Sequence, residues 1–266
     1  MNQRNEIGGV ALHFGRYVVV TLFAVVGVAY GADVPNVNGA SAILADASNG
    51  KKKREGFFGA VSIGYLASTG NTDSASLNAK TSFAYVAKPW RHALMLRAVK
   101  GSTDGVATSE EYEAAEQSDY LFSKNSYVYG ALNYSVNRFS GFDRRTTEVV
   151  GYGRRLFDSE AHTLDLQIGV GARQTRFTDG TDQDEPIVQL AGAYLWDFSD
   201  NASFSQQIKV EDGDKNTFSE SITGVTANLT GDLALSVSYT VKHNSSVPIG
   251  SERTDTATAV SVIYGF

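Results

Sequence analysis

"LALSVSYTVK", residues 233–242, decides the fold: Leu233, Leu235, Val237, Tyr239 and Val241 share one parity, and Ala234, Ser236, Ser238, Thr240 and Lys242 share the other. Successive side chains of a strand point to opposite faces, so this segment is a strand with one apolar and one polar side. The texture recurs upstream. Leu77, Ala79, Thr81, Phe83 and Tyr85 oppose Asn78, Lys80, Ser82 and Ala84, and Leu164, Leu166, Ile168 and Val170 oppose Asp165, Gln167, Gly169 and Gly171. The last residues, "AVSVIYGF" (259–266), continue it, with Val260, Val262, Tyr264 and Phe266 on the apolar side. A bare terminal phenylalanine is poorly suited to water and well suited to a lipid interface.

About twelve such segments lie between turn signals from residue 57 to the end, most of them 11–14 residues long. The segment 143–156 is the least regular, because Val149 and Val150 fall on opposite parities. Ordinary globular strands are about half that length, whereas a tilted strand crosses a bilayer in about 9–11 residues. In hydrocarbon each unpaired backbone group costs several kcal/mol, so spanning strands must close on themselves. The expected fold is therefore all-β: an antiparallel up-and-down transmembrane β-barrel of about twelve strands, greasy outside and polar within.

The connections alternate as such a barrel requires, tight turns such as "SK" and "SD" following longer loops such as "STDGVATSE" and "RQTRFTDGTDQD". Under this topology Phe57, Tyr85, Trp90, Tyr120, Phe122, Trp196, Phe198, Tyr264 and Phe266 gather at the end carrying the short turns. Aromatic rings at headgroup level form the girdle expected of a membrane barrel, here on the periplasmic side.

Ahead of the strands, "YVVVTLFAVVGV" (17–28) is too short to span a bilayer as a helix, follows Arg4 and Arg16, and precedes Ala29 and Gly31. A basic start, a short apolar centre and small residues form a secretion signal. Residues 1–31 are thus read as a cleaved signal, 32–55 as a flexible periplasmic lead-in ending in Lys51–Arg54, and 56–266 as the barrel. The 266 residues carry 23 basic and 29 acidic side chains, interspersed, which argues against nucleic acid as a partner. Cysteine is absent, excluding disulfides, thiol catalysis and thiolate-bound zinc.

"IGYLASTGNTDSASLNAKTSFAY" (63–85), "RFSGFDRR" (138–145) and "DLALSVSYTVKHNSSVPIGSERTDTATAVSVIYGF" (232–266) together resemble the bacterial family called salt-induced outer membrane protein, a domain family of unknown function. The resemblance runs from about Gly56 to Phe266, with Gly70–Asp73 and the closing strand as its most specific parts. It implies an outer-membrane barrel of a Gram-negative bacterium and a link to salt or osmotic stress. It also implies that the terminal aromatic strand is the signal read by the barrel-assembly machinery.

Chemistry is sparse. His243 and Ser245 share a strand face, the spacing of an outer-membrane lipid hydrolase, yet no orienting group for the pair is evident. Asp179, Asp182, Asp184 and Glu185, with Asp212 and Asp214, offer carboxylates but match no calcium loop. No catalytic residue, metal site or cofactor is assigned. The inward parity carries Asn78, Lys80, Arg97, Asp165, Gln167, Arg173, Gln207, Lys209, Glu211, Lys242 and Asp255, a set of mixed sign unsuited to a strongly ion-selective pore. Twelve strands leave a lumen between those that side chains fill and those that conduct freely. The expectation is a monomeric envelope barrel in contact with membrane lipid and lipopolysaccharide. It is either a narrow small-solute pore or stress-adaptation protein, or a plugged barrel that binds lipopolysaccharide or partners, with lipid hydrolysis as a third reading.

Overall fold

A computed structural model of the protein describes residues 55–68 and 74–266. The expected export signal (1–31), the expected lead-in up to residue 54, and residues 69–73 with the Gly70–Asp73 motif lie outside the described residues. Twelve strands follow in order: β1 (Gly56–Ser68), β2 (Ser74–Ala87), β3 (Trp90–Thr103), β4 (Val106–Leu121), β5 (Ser126–Asn137), β6 (Phe142–Asp158), β7 (His162–Phe177), β8 (Asp182–Ser199), β9 (Ala202–Gly213), β10 (Thr217–Thr230), β11 (Leu233–Asn244) and β12 (Thr254–Gly265). A single 3-10 turn, Arg138–Ser140, joins β5 to β6. Each strand pairs antiparallel with its sequence neighbour, and β1 pairs with β12, so the sheet closes into an up-and-down barrel with no free edge strand. Both ends of the barrel segment, Gly56 and Phe266, lie at one rim, here called the terminal rim.

The alternation sorts the two faces as the sequence implies. Val225 and Val237 are partners on the outside, whereas Glu220 and Lys242 are partners on the inside. Exposed Val150, Ile168, Val170, Val188 and Leu190 make the outer wall apolar. Even the irregular segment obeys the rule: it forms β6 with Glu148, Val150 and Tyr152 outward, and Val149 turns inward against Tyr127, Tyr129 and Ile187.

The connections correct one expectation. The β3–β4 and β7–β8 connections lack the long loops anticipated, because Val106–Glu110, Arg173–Phe177 and Asp182–Asp184 belong to strands, whereas nine residues, 245–253, do join β11 to β12. Polar alternating residues continue the ladder beyond the apolar wall, helped by pairs such as Arg176–Asp182 (2.9 Å). The β3–β4 hairpin turns on Asp104 and Gly105 alone, at φ of 50° and 76°, a two-residue turn with both centres left-handed. Pro186 sits inside β8 rather than at its start; the β8–β9 ladder begins one residue later, at Ile187↔Gly213, so the missing N–H interrupts no rung there.

One sector of the wall is unusually tight. Tyr127 and Tyr129 on β5 face Gly153 and Gly151 on β6. A Cβ at Gly153 would sit inside the Tyr127 ring, and one at Gly171 on β7 would strike the backbone carbonyl of Glu148. The paired glycines are the recesses into which the two tyrosines lie flat, burying both to 4% exposure inside the barrel.

Candidate functional site

The lumen is the candidate site, and it is crossed by two layers of charged side chains. In the layer nearer the terminal rim, Arg91 on β3 pairs with Asp119 on β4 (2.6 Å), and Gln117 donates to the other oxygen of Asp119 (2.8 Å). Arg155 grips Asp165 with two parallel bonds of 2.9 and 2.7 Å, the fork geometry that suits guanidinium and carboxylate. Between these pairs stands Tyr127, with the Arg91 guanidinium 4.7 Å from its ring centre and Gln167 donating to its hydroxyl (3.1 Å).

The second layer, toward the far rim, is built on Arg173, which is 1% exposed. Its guanidinium bonds Glu185 (2.8 Å), Glu211 (3.4 Å) and the carbonyl of Asn216. Glu185 in turn accepts from the backbone amides of Lys215 and Asn216, which ties the β9–β10 connection over the lumen. Beside it Arg145 lies 4.4 Å from the Phe142 ring centre and donates to Asn244 (3.2 Å), which also accepts from Asn216 (3.0 Å).

Several of these contacts cross the barrel rather than run along its wall. Lys242 on β11 contacts Glu111 on β4, and the shorter route between those strands passes β12, β1, β2 and β3. Arg145 on β6 reaches Asn244 on β11, and Ser140 donates to Asp255 on β12 (2.6 Å). Glu111 also receives Arg97, which bonds Glu113 (2.9 Å); Lys209 lies 3.5 Å from Glu211 and 3.7 Å from Glu220. Side chains from opposite walls meet at the axis.

Between the layers remains a chamber of about 130 Å³ lined by Lys80, Arg97, Asp165, Gln167, Gln207, Lys209 and Glu211, among others. A smaller space of about 30 Å³, sharing Glu113, Lys209 and Glu211 with it, extends toward Lys242 and Asp255. Below the first layer, a vestibule of about 360 Å³ opens at the terminal rim between Lys88, Lys124, Arg155 and Asp158. Asn78 faces inward from β2, two residues from Lys80. The structure thus places all eleven inward residues named from the sequence inside the barrel. Sequence reasoning missed their partners Arg91, Glu111, Glu113, Asp119, Arg145 and Glu185, although all six lie within the expected strands on the inward parity, where the same rule would have found them.

At the terminal rim Phe57, Tyr85, Trp90, Tyr120, Phe122, Trp196, Phe198 and Tyr264 are all exposed on the outside, and Phe266 packs 6.5 Å from Phe57. Phe83, 6.1 Å from Phe266, belongs to the same belt, as do His92, stacked on Trp90 (5.8 Å), and His162, stacked on Trp196 (5.9 Å). His243 and Ser245 do not form a catalytic pair: the imidazole Nδ1 is 2.8 Å from Thr254 Oγ1, whereas Ser245 Oγ accepts from the Thr217 amide and donates to Asn216. The acidic loop residues assemble no group of three or more ligands that could hold a metal, among the described residues.

The model of the family described as "Protein of unknown function, DUF481" matches residues 61–266. The "Uncharacterized protein YdiY" of Escherichia coli (strain K12) is 32% identical over 224 residues, which cover 84% of this chain and 87% of that protein. Among solved structures, a NanC porin is similar with a TM-score of 0.47 at 9% identity, over 77% of this chain and 97% of that one. The translocator domain of the autotransporter NalP from Neisseria meningitidis gives a TM-score of 0.46 at 11% identity, over 79% and 87% of the two chains.

Proposed function

The chain belongs to the family of unknown function DUF481, and on that premise we propose that it is an outer-membrane β-barrel of a Gram-negative envelope whose lumen rests in a closed state. The apolar outer wall with one aromatic rim supports the membrane reading, since rings of this kind sit at headgroup level and an exposed apolar face of this extent needs lipid. Closure is carried by a single observation: Lys242–Glu111 and Arg145–Asn244 join opposite walls across the axis. A plugged lumen makes the protein a structural or interaction barrel, presenting its far-rim hairpins to lipopolysaccharide or partners.

The test is conductance of the purified full chain in a planar bilayer. A folded, silent barrel is expected, and removing the crossing contacts with Lys242→Met and Arg145→Leu together should introduce resolvable channel steps. Steady conductance in the unaltered protein would overturn the closed reading and favour the second one, a narrow small-solute pore. That alternative draws support from the spaces of about 130 and 360 Å³ lying on either side of the Arg91–Arg155 layer. The role in salt adaptation implied by the family resemblance would be tested by growth of a deletion strain at high ionic strength, where a defect restored by the wild-type gene is expected.

A further inference from the structure

The outer wall carries a polar cluster just inside the aromatic belt. His92 on β3 and Ser118 on β4 are cross-strand partners, and Glu116 follows Ser118 on the same face of β4, opposite Leu94. All three are half-buried and share the outward parity of exposed Tyr112 and Tyr120. Ser118 Oγ donates to Glu116 Oε1 and lies 2.7 Å from His92 Nδ1. A hydroxyl has one hydrogen, so with that hydrogen on Glu116 it is Nδ1 that donates to Oγ. Trp90 stacks on His92 at 5.8 Å and meets Tyr120 edge-on at 5.1 Å, which steadies the imidazole from the rim side. On its other flank Ser118 faces Gly130 of β5, where a Cβ would find nothing within 4 Å, and exposed Val128 and Val150 border this open notch. Polar groups on the lipid side carry a cost that greasy residues at the same positions would avoid. Two residues separate Ser118 from Tyr120, which sets it about 5 Å inside the ring level on a tilted strand. The acyl esters of a phospholipid lie at that depth, beneath the headgroup, and their chains suit the apolar notch.

We propose that Ser118, Glu116 and His92 form an acyl-hydrolase site for phospholipids of the periplasmic leaflet. Ser118 Oγ bonds to an ester carbonyl carbon while its proton passes to Glu116, and the Nδ1–H of His92, already on Oγ, reaches the oxyanion on the same carbon. The carbon–oxygen bond to glycerol breaks, and the departing oxygen takes the proton from Glu116. Water, activated by Glu116 in turn, then releases the fatty acid and restores Ser118. The site rests on the membrane-barrel reading above but not on closure, since it faces away from the lumen.

The experiment uses the full chain refolded into phosphatidylethanolamine–phosphatidylglycerol vesicles, with the barrel verified separately by the heat-dependent gel mobility of unboiled protein. Free fatty acid and lysophospholipid are quantified by mass spectrometry against protein-free vesicles. The wild type should release both. Ser118→Ala should lower release at least a hundredfold, Glu116→Gln and His92→Phe at least tenfold each, and Ser245→Ala should leave it unchanged. A folded wild-type barrel that releases no fatty acid would refute the proposal, as would equal release by Ser118→Ala. If Ser118→Ala does not fold, a fluorophosphonate probe on the wild type takes its place: an adduct at Ser118 that blocks release supports the site, and block of release without one refutes it, as does release that the probe leaves untouched.

Discussion

Two stretches of the same wall are closed by different means. From β5 to β7 the ladder is long and interlocked: β6 and β7 stay in register from Phe142↔Phe177 to Asp158↔Thr163 apart from a bulge near each end, and tyrosine rings fill the notches left by facing glycines. The seam between β1 and β12 is short. Its register runs only from Ala60↔Gly265 to Ile63↔Val262, extended by the mutual backbone bonds of Gly59 and Phe266 at 2.8 and 2.9 Å. What the seam lacks in rungs it recovers in part at the rim, where Phe57, Phe83 and Phe266 cluster with ring centres 5.8–6.5 Å apart. Backbone pairing and side-chain interlock thus share the work unequally around one ring.

The comparison breaks first, if it is wrong, at Tyr127. Tyr127→Ala empties the recess over Gly153 and strips Arg91 and Gln167 of a partner; a loss of about 3–5 kcal/mol is expected, read by urea unfolding in lipid vesicles. Next comes Gly171→Ala, whose new methyl meets the Glu148 carbonyl, an obstacle that cannot rotate away. A cost of about 1–3 kcal/mol is expected in the same assay. At the seam, Phe266→Ala removes two ring contacts and should cost only about 0.5–1.5 kcal/mol. Were the seam substitution to cost more than the tyrosine one, the ranking of the two regions would be reversed.

The smallest effect marks where interlock ends, at the β7–β8 tip. There the hydroxyl and then the amide of Thr181 hold the Asp179 carboxyl below its ordinary value. Because the folded-state value is depressed, the ordering it supplies is present at neutral pH and fades as pH falls through that lowered value. Amide exchange at Thr181 should therefore accelerate in acid. Asp179→Ala should show the fast rate at every pH, with global unfolding unmoved.

Much of the barrel could be read from the chain because strand geometry is local. Parity alone places Leu233–Lys242 and the inward set, and the same rule puts Tyr264 and Phe266 at the rim. Loop length was misjudged for a physical reason: Ser109, Glu110 and Asp182 look like solvent-loop residues, yet polar side chains pair readily once a hairpin has begun to extend into water. The crossing contacts were illegible in a different way. Lys242 and Glu111 are 131 residues apart, and nothing in either neighbourhood specifies the diameter that brings them together. Parity says which face a side chain takes, and only closure says whom it meets.

The crossing contacts also tie the drying of the interior to closure of the ring. Lys242 and Asn244 reside on the penultimate strand, and Asp255 on the last. Without those two strands in place, Glu111, Arg145 and Ser140 look out over an unfinished trough whose charges must stay hydrated. Drying of the interior therefore coincides with ring closure, and a chain lacking β11 and β12 would leave a wet, half-built wall.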